Sequence, residues 1–393
     1  MFKNITRVVW ILSIVSLFTD VAGEMLYPVM PIYLKSIGFS VLMIGLLEGV
    51  AEATAGLSKG YFGKMSDNIG KRVPFVQFGY LLSATSKPLL ALFLNPFWVL
   101  FARSMDRFGK GIRTGARDAI LSDEATPETK GKIFGFHRML DTFGAVLGPL
   151  SALIYLYYFP ENYITLFYLA FIPGMIAVIA SFLLKESKST LVTEKKKTSL
   201  LSFLKYWKDG PSDYRKLVIG LLAFTLFNSS DVFLLLKAKE AGLSDAWVIG
   251  VYIFYNLVYA LFSFPIGIMA DKLGLKNIYV FGLMMFAIVY FGMSVSNSVV
   301  MFAVLFFVYG LYAAATEGVS KALISNISDK KDTATAIGTY AAFQSICTML
   351  ASTIAGLIWY KFGAAATFIL TGIITLAVAF YFTFVIKLNG KTT

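Results

Sequence analysis

In the stretch RSMDRFGKGIRTGARD, residues 103–118, the residues Arg103, Asp106, Lys110, Arg113 and Arg117 recur every three or four positions. That spacing puts them on one face of a single helix, a stripe about 20 Å long at about 1.5 Å per residue. Cations so placed can hold an anionic or strongly polar solute. Asp20, Glu24 and Tyr27 repeat the pattern, and Glu48 and Glu52 lead into Gly56, Lys59 and Gly63 on a third stripe. Further along stand His137, Arg138 and Asp141, then Asn228, Ser230 and Asp231, then Tyr252, Asn256 and Tyr259, then Glu317 and Lys321. Carboxylates and histidine exchange protons when burial or neighbouring charge brings their pKa near ambient pH. Asp20, Glu24 and Asp141 lead that proton role, with Glu48, Glu52 and Glu317 behind them. Each of these carboxylates has a competing reading as a permanent partner of a cation. His137, the only histidine, reads equally well as a structural side chain.

The elements that must position these groups are apolar. The chain has 393 residues, of which 57% are hydrophobic and only 15% charged, against about 45–50% apolar in an ordinary soluble domain. Runs long enough to cross a hydrocarbon layer about 30 Å thick recur from end to end. They predict spans near 8–35, 41–63, 73–94, 96–120, 132–158, 162–184, 216–239, 246–270, 277–296, 298–325, 333–360 and 363–387. The first run is too long for a signal-peptide core and lacks a small-residue cleavage site. Ionisable groups inside such spans are expensive and mark function by default. The net charge of +12 gathers in alternate loops, the positive-inside pattern, and predicts both termini in the cytoplasm. No nucleic-acid partner follows from it.

The Lys- and Ser-rich break at 185–215 divides the chain into a six-helix bundle at 1–184 and another at 216–393. Within the break, LLSFLKYWK reads either as an interfacial amphipathic helix or as a solvated linker. The halves echo one another. A shift of 204 residues carries GKMSDNIGKR (63–72) onto GIMADKLGLK (267–276), pairing Gly63 with Gly267 and Asp67 with Asp271. The same shift pairs Glu24 with Asn228, Glu52 with Asn256, Arg113 with Glu317 and Arg117 with Lys321, and a shift of 203 pairs Asp141 with Gln344. Repeats of this kind belong to transporters whose substrate site lies near the bilayer midplane.

GKMSDNIGKR resembles the loop signature G-x-x-x-D-x-x-G-[RK]-[RK] of the major facilitator superfamily. Arg103 with Gly109 and Gly111 is similar to its span-four motif, and GAVLGPLS (144–151) resembles the span-five motif of proton-coupled antiporters. Arg107 stands where span four usually has its first glycine, and Ser151 ends an incomplete span-five motif. The resemblance implies an all-α membrane fold with twelve transmembrane helices in two pseudo-symmetric bundles. It also implies that spans one, four, seven and ten line a central cavity. In the loop motif, Gly63 and Gly70 suit close packing and a tight turn, Asp67 suits a helix cap or an ion pair with an Arg, and Lys71 and Arg72 complete the signature. Together with Arg113, Arg117, Asp118, Asp271 and Lys321, these residues read as conformational gate.

Other chemistries find little support. There is no phosphate-binding G-x-x-x-x-G-K-[ST] loop. With one His and one Cys there is no conventional zinc or haem cluster, although Asp20, Glu24 and Asn228 leave a divalent-metal site open. The expectation is no enzyme and no cofactor. It is a monomeric secondary transporter in a bacterial cytoplasmic membrane, driven by protons and moving a small polar or anionic solute by alternating access. Export by proton antiport rests on the GAVLGP resemblance. Import of an organic anion or metal chelate by symport, and flipping of anionic lipids, are the competing readings.

Overall fold

The computed structural model describes residues 5–27, 29–93, 95–186, 199 and 201–386. Among these residues every long element is an α-helix and no strand occurs. In chain order the helices are α1 (Arg7–Glu24), α2 (Met30–Ser36), α3 (Val41–Ile69), α4 (Val73–Leu89), α5 (Pro96–Asp123), α6 (Lys130–Tyr158) and α7 (Tyr163–Ser181). After the break come a 3₁₀ turn (Ser202–Lys205), α8 (Tyr206–Asp209), α9 (Ser212–Phe227), α10 (Val232–Glu240), α11 (Asp245–Leu273), α12 (Leu275–Val295), α13 (Val299–Ile327) and α14 (Thr333–Phe384).

In lipid every backbone polar group must be satisfied within the segment, which selects helices. Their starts carry side-chain caps. Thr6 accepts from the Val9 N–H at 3.3 Å, Ser40 from Met43 at 3.2 Å, and Asn95 from Phe97 at 2.9 Å. Seven stretches among the described residues are long and apolar enough to cross a membrane, beginning with Lys130–Tyr158 and ending with Lys330–Phe384. The longer first-half helices α1, α3, α4 and α5 fall outside that set, and they carry most of the charged stripes.

Three boundaries differ from the sequence reading. The expected first span breaks into α1 and α2, because Pro31 fits the first turn of a new helix but not a helix interior. The expected seventh span breaks at 228–231, where Asn-Ser-Ser-Asp side chains compete for backbone groups. The second span runs on through Gly63 and Asp67 to Ile69, ended by Gly70 at φ 70°, a left-handed turn that glycine adopts without strain. The last two spans meet where the sequence places their junction: α14 consists of two helices, parted at Gly363, whose φ of 83° and ψ of 171° are not helical.

The described residues within 1–124, 140–209 and 328–345 form one compact unit; those within 125–139, 210–327 and 346–393 form a second. In the first unit α5 lies against both α3 and α4, and α7 against α1 and α4. Glycines let these helices approach closely: a Cβ at Gly79 would sit 2.6 Å from the Gly109 carbonyl oxygen. In the second unit α13 packs on α11 and α12.

Candidate functional site

In the first unit α5 turns its charged stripe toward α1 and α4. A pocket with an empty volume of about 430 Å³ is lined there by Thr19, Asp20, Gly23, Glu24, Tyr27, Lys87, Arg103, Asp106, Arg107, Lys110 and Arg113. Six residues read from the sequence thus meet in one place: Asp20, Glu24, Tyr27, Arg103, Asp106 and Lys110. Tyr27 arrives there from the turn beyond α1, which ends at Glu24, and not from the helix face that its spacing suggested. The cluster runs from dry to wet: Lys87 is only 4% and Arg103 5% exposed, whereas Tyr27 and Lys110 are exposed. Lys87 Nζ donates to Asp106 Oδ1 at 2.9 Å. The Ser83 hydroxyl donates to the Asp106 backbone carbonyl at 3.1 Å and accepts from Arg113 Nη1 at 2.5 Å. Arg113 also lies over the Tyr80 ring, 4.6 Å from its centroid, a cation–π contact. Glu52 is half exposed, 4.0 Å from both Lys59 and Arg107.

Deeper along α5, Arg117 pairs with the fully buried Asp118 at 2.9 Å and donates to Ser16 Oγ at 3.3 Å. The same Ser16 hydroxyl donates to Asp141, whose carboxyl group lies near enough to that of Asp20 for the two to interact electrostatically. A chain of polar groups thus runs from Arg117 through Ser16 and Asp141 toward the pocket.

The conformational residues gather at the far end of α3. Asp67 accepts the Thr335 N–H and hydroxyl, each at 2.7 Å, at the start of α14, and Arg72 Nη2 at 3.1 Å. Arg72 also pairs with Asp123 and donates to the Lys330 carbonyl at 3.0 Å. Glu186 clasps the start of α4 by accepting the N–H groups of Arg72 and Val73 at 2.9 and 3.0 Å. Gly63 lies so close to Ala334 that a side chain there would collide with its carbonyl, while Lys71 is exposed. The segment after the break seats Phe203 on Gly60, and Thr339 Oγ1 donates to the Phe203 carbonyl at 3.2 Å. Beside it, burial and then the carboxylates of Asp332, Asp329 and Asp67 push the Tyr206 phenol above its ordinary pKa.

The second unit holds the remaining candidates. Asp271 accepts the N–H groups of Gly131 and Lys132 at the start of α6, each at 2.7 Å. On α6, His137 is buried and Arg138 meets Glu317 at 3.8 Å. Lys321 lies one helical turn beyond Glu317 on α13 and is partly buried. Asn228 Nδ2 donates to the Tyr312 hydroxyl at 2.9 Å, and the Tyr255 hydroxyl donates to Asp231. Asn256 caps back onto the Tyr252 carbonyl at 3.0 Å. Gln344, in the first unit on α14, is partly buried, and the Glu48 side chain lies outside the described residues. Sequence reasoning missed Lys87, Ser16, Thr335, Asp123 and Glu186. Only Lys87 carried a usable signal, as a lone lysine inside an apolar span.

These features define an all-helical membrane carrier built from two related halves. The Major Facilitator Superfamily model matches residues 12–255 and again 238–392, and the chain belongs to that family. An uncharacterised MFS-type transporter of Methanocaldococcus jannaschii is 33% identical over 373 residues, covering 93% of this chain and 92% of that one. The staphyloferrin B transporter of Staphylococcus aureus is 30% identical over 150 residues, 37% of this chain and 34% of its own. The crystal structure of the human organic anion transporter MFSD10 superposes with a TM-score of 0.81 over 96% of this chain and 99% of that chain. At 17% identity that likeness is one of fold alone. The protein is therefore an integral membrane protein of a transporter family and not an enzyme.

Proposed function

We propose that the protein is a proton-coupled secondary transporter of a small polar or anionic solute, working by alternating access as a monomer in a cytoplasmic membrane. The observation that carries this reading is the partly buried pocket on α5. Lys87, Arg103, Arg107, Lys110 and Arg113 outnumber Asp20, Glu24 and Asp106 around it, so its lining is positive on balance. In a low-dielectric setting such an excess attracts an anion strongly. The nearness of the Asp20 and Asp141 carboxyl groups supports the coupling, since two carboxyl groups that share a site can hold a proton between them. A proton arriving there weakens the hold of Asp20 on the neighbouring cations and frees them for the solute. Export by antiport fits the GAVLGP motif on α6 (Gly144–Pro149), where Gly144 and Gly148 pack against α1.

The test is a thermal-shift screen of the purified chain against organic anions, metal chelates, antibiotics and lipids at two pH values. A stabilising anion whose effect Arg103→Ala removes is the expected result. A ligand indifferent to Arg103, Lys110 and Lys87 variants refutes the anion reading. Stabilisation by anionic lipids alone makes the protein a lipid carrier instead.

A further inference from the structure

The second unit carries a cluster of opposite character to the α5 pocket. Span seven is interrupted between Phe227 and Val232, so the C-terminal end of the sixteen-residue α9 opens onto the break. The dipole of a helix makes that end negative, and half-helix ends of this kind favour cations. Asn228 lies in the break. Its Nδ2 is taken by the Tyr312 hydroxyl at 2.9 Å, while its Oδ1 is buried with no hydrogen-bond partner. A buried acceptor without a donor is unfavourable, so that oxygen is suited to a donor from outside the protein. Asp231 adds a carboxylate, oriented by the Tyr255 hydroxyl and by Ser230 Oγ at 3.3 Å.

Around these oxygens stand tyrosine rings. Tyr252 and Tyr255 meet edge to face at 5.4 Å between centroids, Tyr255 and Tyr309 at 5.2 Å, and Tyr309 and Tyr312 at 5.3 Å. Ring faces attract organic cations through their quadrupoles. Asn228, Asp231 and Tyr252 are each partly exposed, so a solute can reach them. The cation Arg138 is engaged by Glu317 at 3.8 Å. The hydroxyls of Tyr255 and Ser230 spend their protons on Asp231, which leaves a carboxylate, the Asn228 Oδ1 and ring faces as the groups suited to a cation.

We propose that the break at 228–231, with Asn228, Asp231 and the rings of Tyr252 and Tyr255, binds the ammonium group of the transported solute. An N–H of that group donates to Asn228 Oδ1, a second donates to the Asp231 carboxylate, and its alkyl carbon lies against the rings. The inference rests on the reading of the chain as a solute transporter and gives the cargo an ammonium group.

The experiment is thermal unfolding of the purified full-length chain with ethylammonium chloride, against sodium and potassium chloride at equal ionic strength. Ethylammonium is expected to raise the midpoint in a saturable manner that neither metal ion reproduces, since binding to the folded state stabilises it. Asn228→Leu is expected to weaken that binding about tenfold, as for the loss of one hydrogen bond to a charged group. Asp231→Asn acts in the same direction, and Tyr252→Leu serves where Asp231→Asn does not fold. Equal stabilisation by sodium, no response to ethylammonium, or a response that survives both Asn228→Leu and Tyr252→Leu overturns the inference. Ethylammonium binding in a protein that binds no anion overturns only the anion reading. Anion binding without ethylammonium binding overturns only the present one.

Discussion

Replacing Asp67 by Asn probes the contact that ties the start of α14 to α3. The aspartate accepts three hydrogen bonds, from Thr335 N, Thr335 Oγ1 and Arg72 Nη2, at 2.7, 2.7 and 3.1 Å. Hydrogen bonds to a charged group contribute about 1.5–3 kcal/mol each, and neutral ones about 0.5–1.5. Asn keeps one acceptor oxygen but loses the charge and the second oxygen. Arg72 still holds Asp123 and the Lys330 carbonyl, which limits the damage on its side. The net loss is then about 2–3 kcal/mol, or about 30- to 150-fold in the equilibrium for releasing α14 from α3. A cysteine placed at the fully buried Ala336, in a Cys347→Ser background, reports that release through its rate of alkylation by a soluble maleimide. Asp67→Asn is expected to raise the rate about 30-fold or more when opening is fast relative to labelling. Rates within twofold of the parent would refute the assignment of Asp67 as a latch.

Three further outcomes follow from the same geometry. Lys87→Met removes the partner that Asp106 meets at 2.9 Å and costs about 3 kcal/mol of stability in detergent unfolding, the range for breaking a buried pair. Lys87→Met with Asp106→Leu is expected to recover most of it, and a double variant no better than the single one contradicts the pairing. Asp20→Asn is expected to abolish flux driven by a pH gradient while leaving solute counterflow, measured in proteoliposomes; gradient-driven flux like that of the parent removes Asp20 from the coupling. Gly60→Ala puts a Cβ 2.6 Å from the Phe203 ring and costs about 1–3 kcal/mol by overpacking. Combining it with Phe203→Ala should show a coupling of at least about 1 kcal/mol in a double-mutant cycle, and strict additivity would mean that the two do not touch.

The α5 stripe was legible because its residues share one helix, where spacing fixes a common face. Asp20 and Glu24 were legible for the same reason. Lys87 was not, because its partner Asp106 lies 19 residues away on a neighbouring helix, and spacing says nothing about pairing between helices. Thr335 was invisible because its contribution is chiefly a backbone N–H at a helix start, a group that every residue but proline possesses. Glu186 was passed over as part of a charged linker, although its carboxylate reaches back to the start of α4. The break at 228–231 was spelled out by Asn-Ser-Ser-Asp, but the apolar runs on both sides outweighed it. Hydropathy measures whether a segment belongs in lipid; it does not register where backbone hydrogen bonds are surrendered.

The internal repeat yields the final prediction. The offset of 204 residues that carries Asp67 onto Asp271 also carries Thr335 onto Gly131, and in each case the carboxylate accepts the N–H of the other residue at 2.7 Å. The two latches are therefore copies of one arrangement, a carboxylate on the positive end of a helix. They differ in what holds the carboxylate. Asp67 is gripped by Arg72, but the matching Lys276 donates instead to the carbonyls of Thr383 and Ile386 at 3.3 and 3.0 Å. Asp271 keeps two backbone donors and no such guanidinium, and Gly131 has no hydroxyl where Thr335 adds a third bond. Asp271→Asn should thus cost about 1–2 kcal/mol by the same per-bond reckoning, less than Asp67→Asn. Alkylation of a cysteine placed at the fully buried Ala270 measures it. If Asp271→Asn loosens its helix as much as Asp67→Asn loosens α14, the grip of Arg72 contributes nothing and the two latches are equal. The expected inequality means that the contact of Asp271 with α6 opens more readily than that of Asp67 with α14.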